Sequence, residues 1–271
     1  MKIRFLLLLL FCSVGFMFSQ SIRGVVLCKA GEQAVAFANI GIVGKNVGTV
    51  SDIDGNFNIR IESGFENDTL LFSCIGYAPV KVKISDLSRA NVNRVYMHES
   101  MTALKEVLVK PRRFRTEVLG IKSPSNKFAA GFSDNNLGYE CGILMKNKKT
   151  AFLKSVGFRI ADCSYDSIFY RLNVYEINQE KQFENILRRS IFLKLSQNDV
   201  KDKVVVNVEE HNIVVDGDFL VTLEHVKDLG KGHINFCCTP LRNTHYRKTS
   251  QGKWETVPIA VGISVVADVE Q

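Results

Sequence analysis

Asp54-Gly55, set between Gly48-Thr49-Val50-Ser51 and Phe57-Asn58-Ile59-Arg60-Ile61, restricts this chain more than any other dipeptide in it. A tight reversal needs backbone at positive φ, which glycine adopts at no steric cost and aspartate tolerates. Beyond the pair, Phe57, Ile59 and Ile61 alternate with Asn56, Asn58 and Arg60, the period of a strand buried on one face. The pattern predicts a hairpin with Asp54 and Gly55 as its structural turn residues. The string Asp52-x-Asp54-Gly55-Asn56 also invites a calcium reading. An EF-hand loop needs glycine at position six and glutamate at position twelve, which here are Phe57 and Ser63. Aspartate side chains that bond their own backbone are the expected role of this string.

Strand signals of the same kind surround the turn. Ile22–Cys28, Ala36–Val43, Gly48–Ser51, Phe57–Ile61, Thr69–Ile75, Val80–Ile84 and Arg94–His98 read as short strands with no helical period between them. Close spacing of that sort argues a small β-sandwich. Its expected core is Val25, Ala38, Ile40, Phe57, Ile59, Leu70, Phe72, Val82, Ile84 and Val95.

The ordered motifs in this stretch are Gly24 and Val26, Phe37–Ile40, Gly48–Asp52, Asp54-Gly55, Phe57, and then Leu71, Ser73, Ile75, Gly76 and Tyr77. Together they resemble the carboxypeptidase regulatory-like domain over about Ser21 to Glu99. The resemblance implies a transthyretin-like β-sandwich that serves as a non-catalytic accessory unit, without a peptidase zinc site. Such modules also precede TonB-dependent outer-membrane receptors, and Leu104–Val109 looks like the segment that follows the module there. A receptor barrel needs hundreds more residues than the 271 present.

Residues 1–19 read as a signal peptide. Lys2 and Arg4 precede an apolar run from Phe5 to about Phe18, and Ser19, Gln20 and Ser21 follow. Cys12 raises a lipoprotein alternative, against which stands the bulky Phe11 before it. The formal charge of +7 falls to +5 once a leader with two bases and no acid is removed. The bases are scattered apart from Lys110–Arg115, so the chain lacks the basic, aromatic-studded face of a nucleic-acid binder. That run reads as part of a solvated linker over 101–122. No second apolar span is present, so no transmembrane segment is expected in the mature chain.

The remainder, 123–271, reads as about ten further strands, with Phe128–Asn136 as a loop and a helical turn at Glu184–Arg189. The expected architecture is therefore all-β: a small transthyretin-like sandwich, residues 20–100, followed by a second antiparallel, jelly-roll-like sandwich. Phe169, Arg171, Asn173 and Tyr175 alternate there with Tyr170, Leu172 and Val174. No motif in this half names a family.

Candidate chemistry is sparse. No G-x-S-x-G or H-E-x-x-H motif occurs, and Glu209, Glu210 and His211, if on a strand, point to opposite faces. His225 and His233 are able to approach across a hairpin near Gly230, but two histidines make a poor zinc site. Glu224 with Asp216 or Asp218 is the nearest approach to a glycosidase pair, and nothing in the sequence joins them. Tyr246 and Trp254, the single Trp, are the candidate ligand-binding residues. A turn at Gln251-Gly252 would pair Lys248 with Glu255. Cys28, Cys74, Cys141, Cys163, Cys237 and Cys238 remain after leader removal; an even set in an exported chain permits disulfides, but without a compact framework spacing most of them read as small buried thiols. No cofactor, metal or catalytic residue is called for. The expectation is an exported, non-enzymatic envelope protein whose partner is an unknown envelope protein or a glycan; a carbohydrate-binding module or glycoside hydrolase is the alternative. If the leader is cut after Ser19, N-terminal sequencing of the envelope fraction starts near Gln20. Intact Met1 in the cytoplasm is the contrary result.

Overall fold

The computed structural model describes residues 20–87, 91–100, 113–133, 135–200 and 202–271. The expected leader with its Cys12, and the basic run up to residue 112, lie outside them. Seven strands form the first domain: β1 (Gln20–Cys28), β2 (Asn39–Gly41), β3 (Gly48–Val50), β4 (Asn56–Ile61), β5 (Thr69–Ser73), β6 (Val80–Lys83) and β7 (Asn93–Met97). They make two layers, β4-β1-β7 and β3-β2-β5-β6, with β1 and β7 parallel. Phe57 and Phe72 meet edge to face between the layers, ring centroids 5.5 Å apart.

Two expectations change here. Val25 is half-buried, while Ile22, Gly24 and Val26 face the core. Gly24 fits there only without a side chain, since a Cβ would lie 2.5 Å from the Phe57 ring. Asp54-Gly55 is a turn but not a hairpin: β4 pairs with β1, so the turn carries the chain from one layer to the other. Asp52 Oδ1 accepts the Asp54 and Asn56 amides at 2.9 and 2.8 Å, and the Gly55 carbonyl accepts the Val26 amide at 2.8 Å. These bonds tie the corner to β1.

The second domain contains β8 (Phe114–Gly120), β9 (Ser125–Phe132), β10 (Glu140–Met145), β11 (Thr150–Cys163), β12 (Ser167–Ile177), β13 (Phe183–Asn185), β14 (Ile191–Ser196), β15 (Lys203–Asn207), β16 (Val214–Asp216), β17 (Phe219–His225), β18 (Ile234–Arg247), β19 (Glu255–Val261) and β20 (Ile263–Glu270). Its main path is β13-β12-β17-β10-β18-β11-β20-β8. The fold is thus all-β in both halves. β11 joins the layers: its first part pairs β20 and its end pairs β18. A bulge between Leu153 and Ser155 changes which side faces the core, from Ala151 and Leu153 to Val156, Phe158 and Ile160. Phe152 consequently lies half-buried against Phe114, at 5.1 Å.

Several local expectations are corrected. The end of the expected linker is β8, because its backbone pairs with β20 from Phe114 to Gly120. The expected loop from Phe128 begins inside β9, and the expected helical turn at Glu184 begins in β13. Glu209–His211 form a 3-10 turn and not a strand, ended by Asn212 at φ 48°. Glu255 pairs with Tyr246 and not with Lys248. The reversal there is a longer loop, with Gln251 at φ 61°.

The two domains are docked. Phe37, at φ 55°, turns its ring out of the first sandwich against Phe169 and Phe192, at 5.2 and 5.4 Å. Phe37, Val50 and Val226 form one apolar cluster across the boundary. Gly41 and Gly48 supply a strip without side chains, where a Cβ would meet the Ser250 carbonyl at 2.4 and 2.2 Å. Gln251 completes the seam: its carbonyl accepts the Gly44 amide at 2.8 Å and its amide donates to Ser73 Oγ at 2.7 Å.

Gly55→Val tests the corner. Gly55 sits at φ 74°, and a Cβ would lie 2.5 Å from the Val26 carbonyl oxygen. The substitution is expected to cost roughly 1–3 kcal/mol of stability. A thermal melt equal to wild type would show that the corner accepts a side chain.

Candidate functional site

β12 places Arg171, Asn173 and Tyr175 on one face by strand alternation. β17 presents Thr222 and Glu224 beside them, β10 presents Glu140, and β18 presents Arg247. Registers align the four charges in a row: Arg171 opposite Glu224, Glu224 opposite Glu140, and Glu140 opposite Arg247. Across four neighbouring strands the signs read plus, minus, minus, plus. Glu140 and Glu224 are 0% exposed, Arg171 2% and Arg247 8%.

The hydrogen bonds close the row. Arg171 Nε and Nη2 reach Glu224 Oε2 at 3.0 and 2.8 Å. Arg247 Nε donates to Glu140 Oε2 at 2.8 Å, and its Nη2 stands 2.6 Å from the same oxygen. Asn173 Nδ2 bridges the carboxylates, at 2.9 Å from Glu140 Oε1 and 2.8 Å from Glu224 Oε2. The Tyr175 hydroxyl donates to Glu140 Oε1 at 2.8 Å, and the Thr222 hydroxyl donates to the same atom. Among the described residues, Glu224 Oε1 accepts no hydrogen bond, and Arg247 Nη2 stands 3.8 Å from it. Arg171 also crosses the domain boundary, donating to the Phe37 carbonyl at 2.7 Å and to Asn39 Oδ1 at 2.5 Å.

Burial pushes the Glu140 carboxyl above its ordinary range, against the opposing pull of Arg247. Burial acts in the same sense on Glu224, but Arg171 and Arg247 outweigh it and hold that carboxyl below its usual value. One environment thus separates two adjacent carboxylates. Burial also raises the Tyr175 phenol well above its ordinary value, with Glu140 adding to the effect.

The end of the row at Arg247 is covered by aromatics. Trp254 lies over the guanidinium at 5.1 Å, and its ring meets Tyr175 and Phe183 edge-on at 5.8 and 5.4 Å. Trp254 is half-buried and belongs to this lid. Tyr246 lies on the other face of β18, stacked on Tyr139 at 6.3 Å and bonded through its hydroxyl to Glu255 at 2.6 Å. The two candidate ligand-binding residues therefore do not form one platform.

The remaining sequence candidates are dispersed. Asp218 accepts from Lys146 at 2.6 Å and from the Asn147 amide at 3.0 Å. Asp216 lines a different surface. The carboxylate that joins Glu224 is Glu140, which the sequence did not single out. His225 is fully buried against Tyr170 and Phe132, at 5.4 and 6.1 Å, and burial lowers its pKa. His233 pairs instead with Asp162, and Ser164 Oγ lies 3.0 Å from its ring. The six described cysteines are free thiols, and Cys237 and Cys238 are both buried. A groove of about 1000 Å³ runs between the segment after β13 and the 3-10 turn at Glu209–His211; Glu184, Arg188, Glu210, His211 and Asp216 contribute to its walls.

Residues 22–109 match the family model of the CarboxypepD_reg-like domain. This first domain is a CarboxypepD_reg-like domain. The match continues past the expected boundary at residue 100 and takes in Leu104–Val109. Over 89 residues the chain is 32% identical to the TonB-dependent receptor SusC of Bacteroides thetaiotaomicron. That alignment covers 33% of this chain and only 8% of the receptor. Solved structures of the infectious bursal disease virus T13 particle and VP2 subviral particle align over 94% of this chain and over 62% and 65% of theirs. Both are 9% identical, with TM-scores of 0.23 and 0.22, and carry no argument about this chain. Among the described residues, no helix is long and apolar enough to cross a membrane.

Arg171→Met would leave Glu224 buried without its main counter-charge, at an expected cost of about 3–5 kcal/mol. Arg171→Met with Glu224→Leu should recover a large part, because it removes the orphaned ion; denaturant melts of both variants check this. The pH dependence has two signs. Glu224 has its folded pKa below the unfolded one, so its contribution is present above the unfolded value and lost as pH falls through the folded value. Glu140 has its folded pKa above the unfolded one, so its contribution is present below the unfolded value and lost as pH rises through the folded value. Glu224→Gln should therefore flatten the acid limb of the stability profile, and Glu140→Gln should remove the loss on the rising side.

Proposed function

We propose that this is an exported, non-enzymatic envelope protein in which a CarboxypepD_reg-like domain is docked on a β-sandwich that provides binding. The kinship of the first domain to part of a TonB-dependent receptor supports an envelope address. The observation that carries the non-enzymatic reading is the state of the pair that Glu224, the sequence's glycosidase candidate, forms with Glu140. A glycosidase needs its acid and its nucleophile or base open to a sugar and to water. Here both carboxylates are fully buried and engaged by two guanidinium groups and an amide. The open groove supports binding: it offers carboxylates and a histidine beside Arg188 and Arg189, a mixture suited to a polar partner such as an envelope protein or a glycan.

The test combines location, binding and turnover. Membrane and periplasmic fractions should contain the protein. Glycan and peptide arrays probed with wild type and with Glu184→Lys/Asp216→Lys should differ at the ligand that the groove holds. Turnover of glycosidic substrates that disappears in Glu224→Gln, with the fold intact, would establish the hydrolase alternative and end this reading. A carbohydrate-binding module centred on the aromatic lid would show as loss of glycan binding in Trp254→Ala with the groove variant unaffected.

A further inference from the structure

Two strand ladders in the second domain break beside each other. β9 pairs β18 from Phe132–Ile234 to Ala129–Cys237, and the next pair is Ser125–Cys238. Asn126, Lys127 and Phe128 are thereby pushed out of register. β18 pairs β19 from Cys238–Val261 to Pro240–Ile259 and resumes at Thr244–Val257. That displaces Leu241, Arg242 and Asn243. Both breaks occur along one stretch of β18, the first between Cys237 and Cys238 and the second just after Pro240.

The two bulges are held in place. Cys237 Sγ contacts Asn126 Oδ1 at 3.2 Å, and Ser125 Oγ accepts the Lys127 amide at 3.1 Å. Thr244 Oγ1 donates to the Ile259 carbonyl at 2.6 Å and accepts the Val261 amide at 3.0 Å. Leu241 sits at φ 64°, a conformation unfavourable for leucine. Its side chain is 95% exposed, and Phe128 is 47% exposed. A backbone at positive φ thus carries a leucine side chain into water, where it gains no burial.

The charges next to these two residues in sequence are bases: Lys127 adjoins Phe128, Arg242 adjoins Leu241, and neither β9 nor β18 contains an acid. The acid on the neighbouring β11, Asp162, is bonded to Asn235 and His233. In β19 the first acid, Glu255, is already bonded to the Tyr246 hydroxyl. Apolar tips flanked by bases match the boundary of an anionic bilayer: the ring and the isobutyl group enter the acyl edge while the bases remain at the headgroups.

We propose that the bulges at Phe128 and Leu241 dock the second domain on an anionic lipid surface. This surface is separate from the groove, so either assignment stands or fails without the other. Vesicle flotation of the full chain tests it, with phosphatidylglycerol–phosphatidylcholine vesicles against phosphatidylcholine alone. Wild type should bind the anionic vesicles preferentially, less so at high salt. Phe128→Ser/Leu241→Ser and Lys127→Glu/Arg242→Glu should each weaken binding roughly tenfold. Lys83→Glu, in the first domain, should not. All these side chains are exposed, so melts should match wild type and separate lost docking from lost folding. Equal vesicle binding by wild type and both bulge variants, or no binding by wild type, would overturn the proposal. Loss of a co-purifying envelope protein in the bulge variants, without any change in vesicle binding, would give the bulges to a protein partner and overturn it equally.

Discussion

Four charges on one face of a sheet, Arg171, Glu224, Glu140 and Arg247, set the terms for the second domain. An isolated ion taken from water into a protein interior costs several kcal/mol, and pairing recovers this only when geometry and hydrogen bonds are complete. Here completion depends on register. A one-residue slip of β12, β17, β10 or β18 turns the slipped residue to the other face and leaves its partner buried alone. The ladder therefore opposes misregistered arrangements even where its net contribution to stability is small.

The same ladder couples the domains. Arg171 has donors left after meeting Glu224, and it directs them to Phe37 and Asn39 of the CarboxypepD_reg-like domain. Phe37 is held at positive φ, so its carbonyl and its ring both meet the second domain. The glycines Gly41 and Gly48 admit the Ser250 backbone where any side chain would collide. Charge, ring packing and absence of side chains thus act on one seam, and the buried polar face of β12 and β17 follows from it.

These constraints bear on function by subtraction. The groups that a chemist would notice first, two adjacent carboxylates and a tryptophan, are occupied with the ladder and its aromatic lid. Among the described residues, the mixed-charge groove and the pair of bulges on β9 and β18 are open to solvent. A molecule built in this way has its polar interior committed to holding two domains in place and its surface free for contact.

The sequence by itself determined the strands of the first domain, the positive-φ turn at Gly55 and the motifs that resemble its family. Those features are local: a two-residue period, a glycine and a string of neighbours. It left β4 paired with the wrong partner, because a turn residue specifies a reversal and not the strand that receives it. The alternation of Arg171, Asn173 and Tyr175 was visible, yet polar alternation ordinarily marks a face turned to water. Only the tertiary structure decided that this face is buried, since its partners Glu140, Glu224 and Arg247 come from separate strands and its cover includes the first domain. Bulges were hidden for the same reason: the departures at Lys154, Asn126–Phe128 and Leu241–Asn243 exist only relative to a neighbouring strand, and a single strand read alone has no register to depart from.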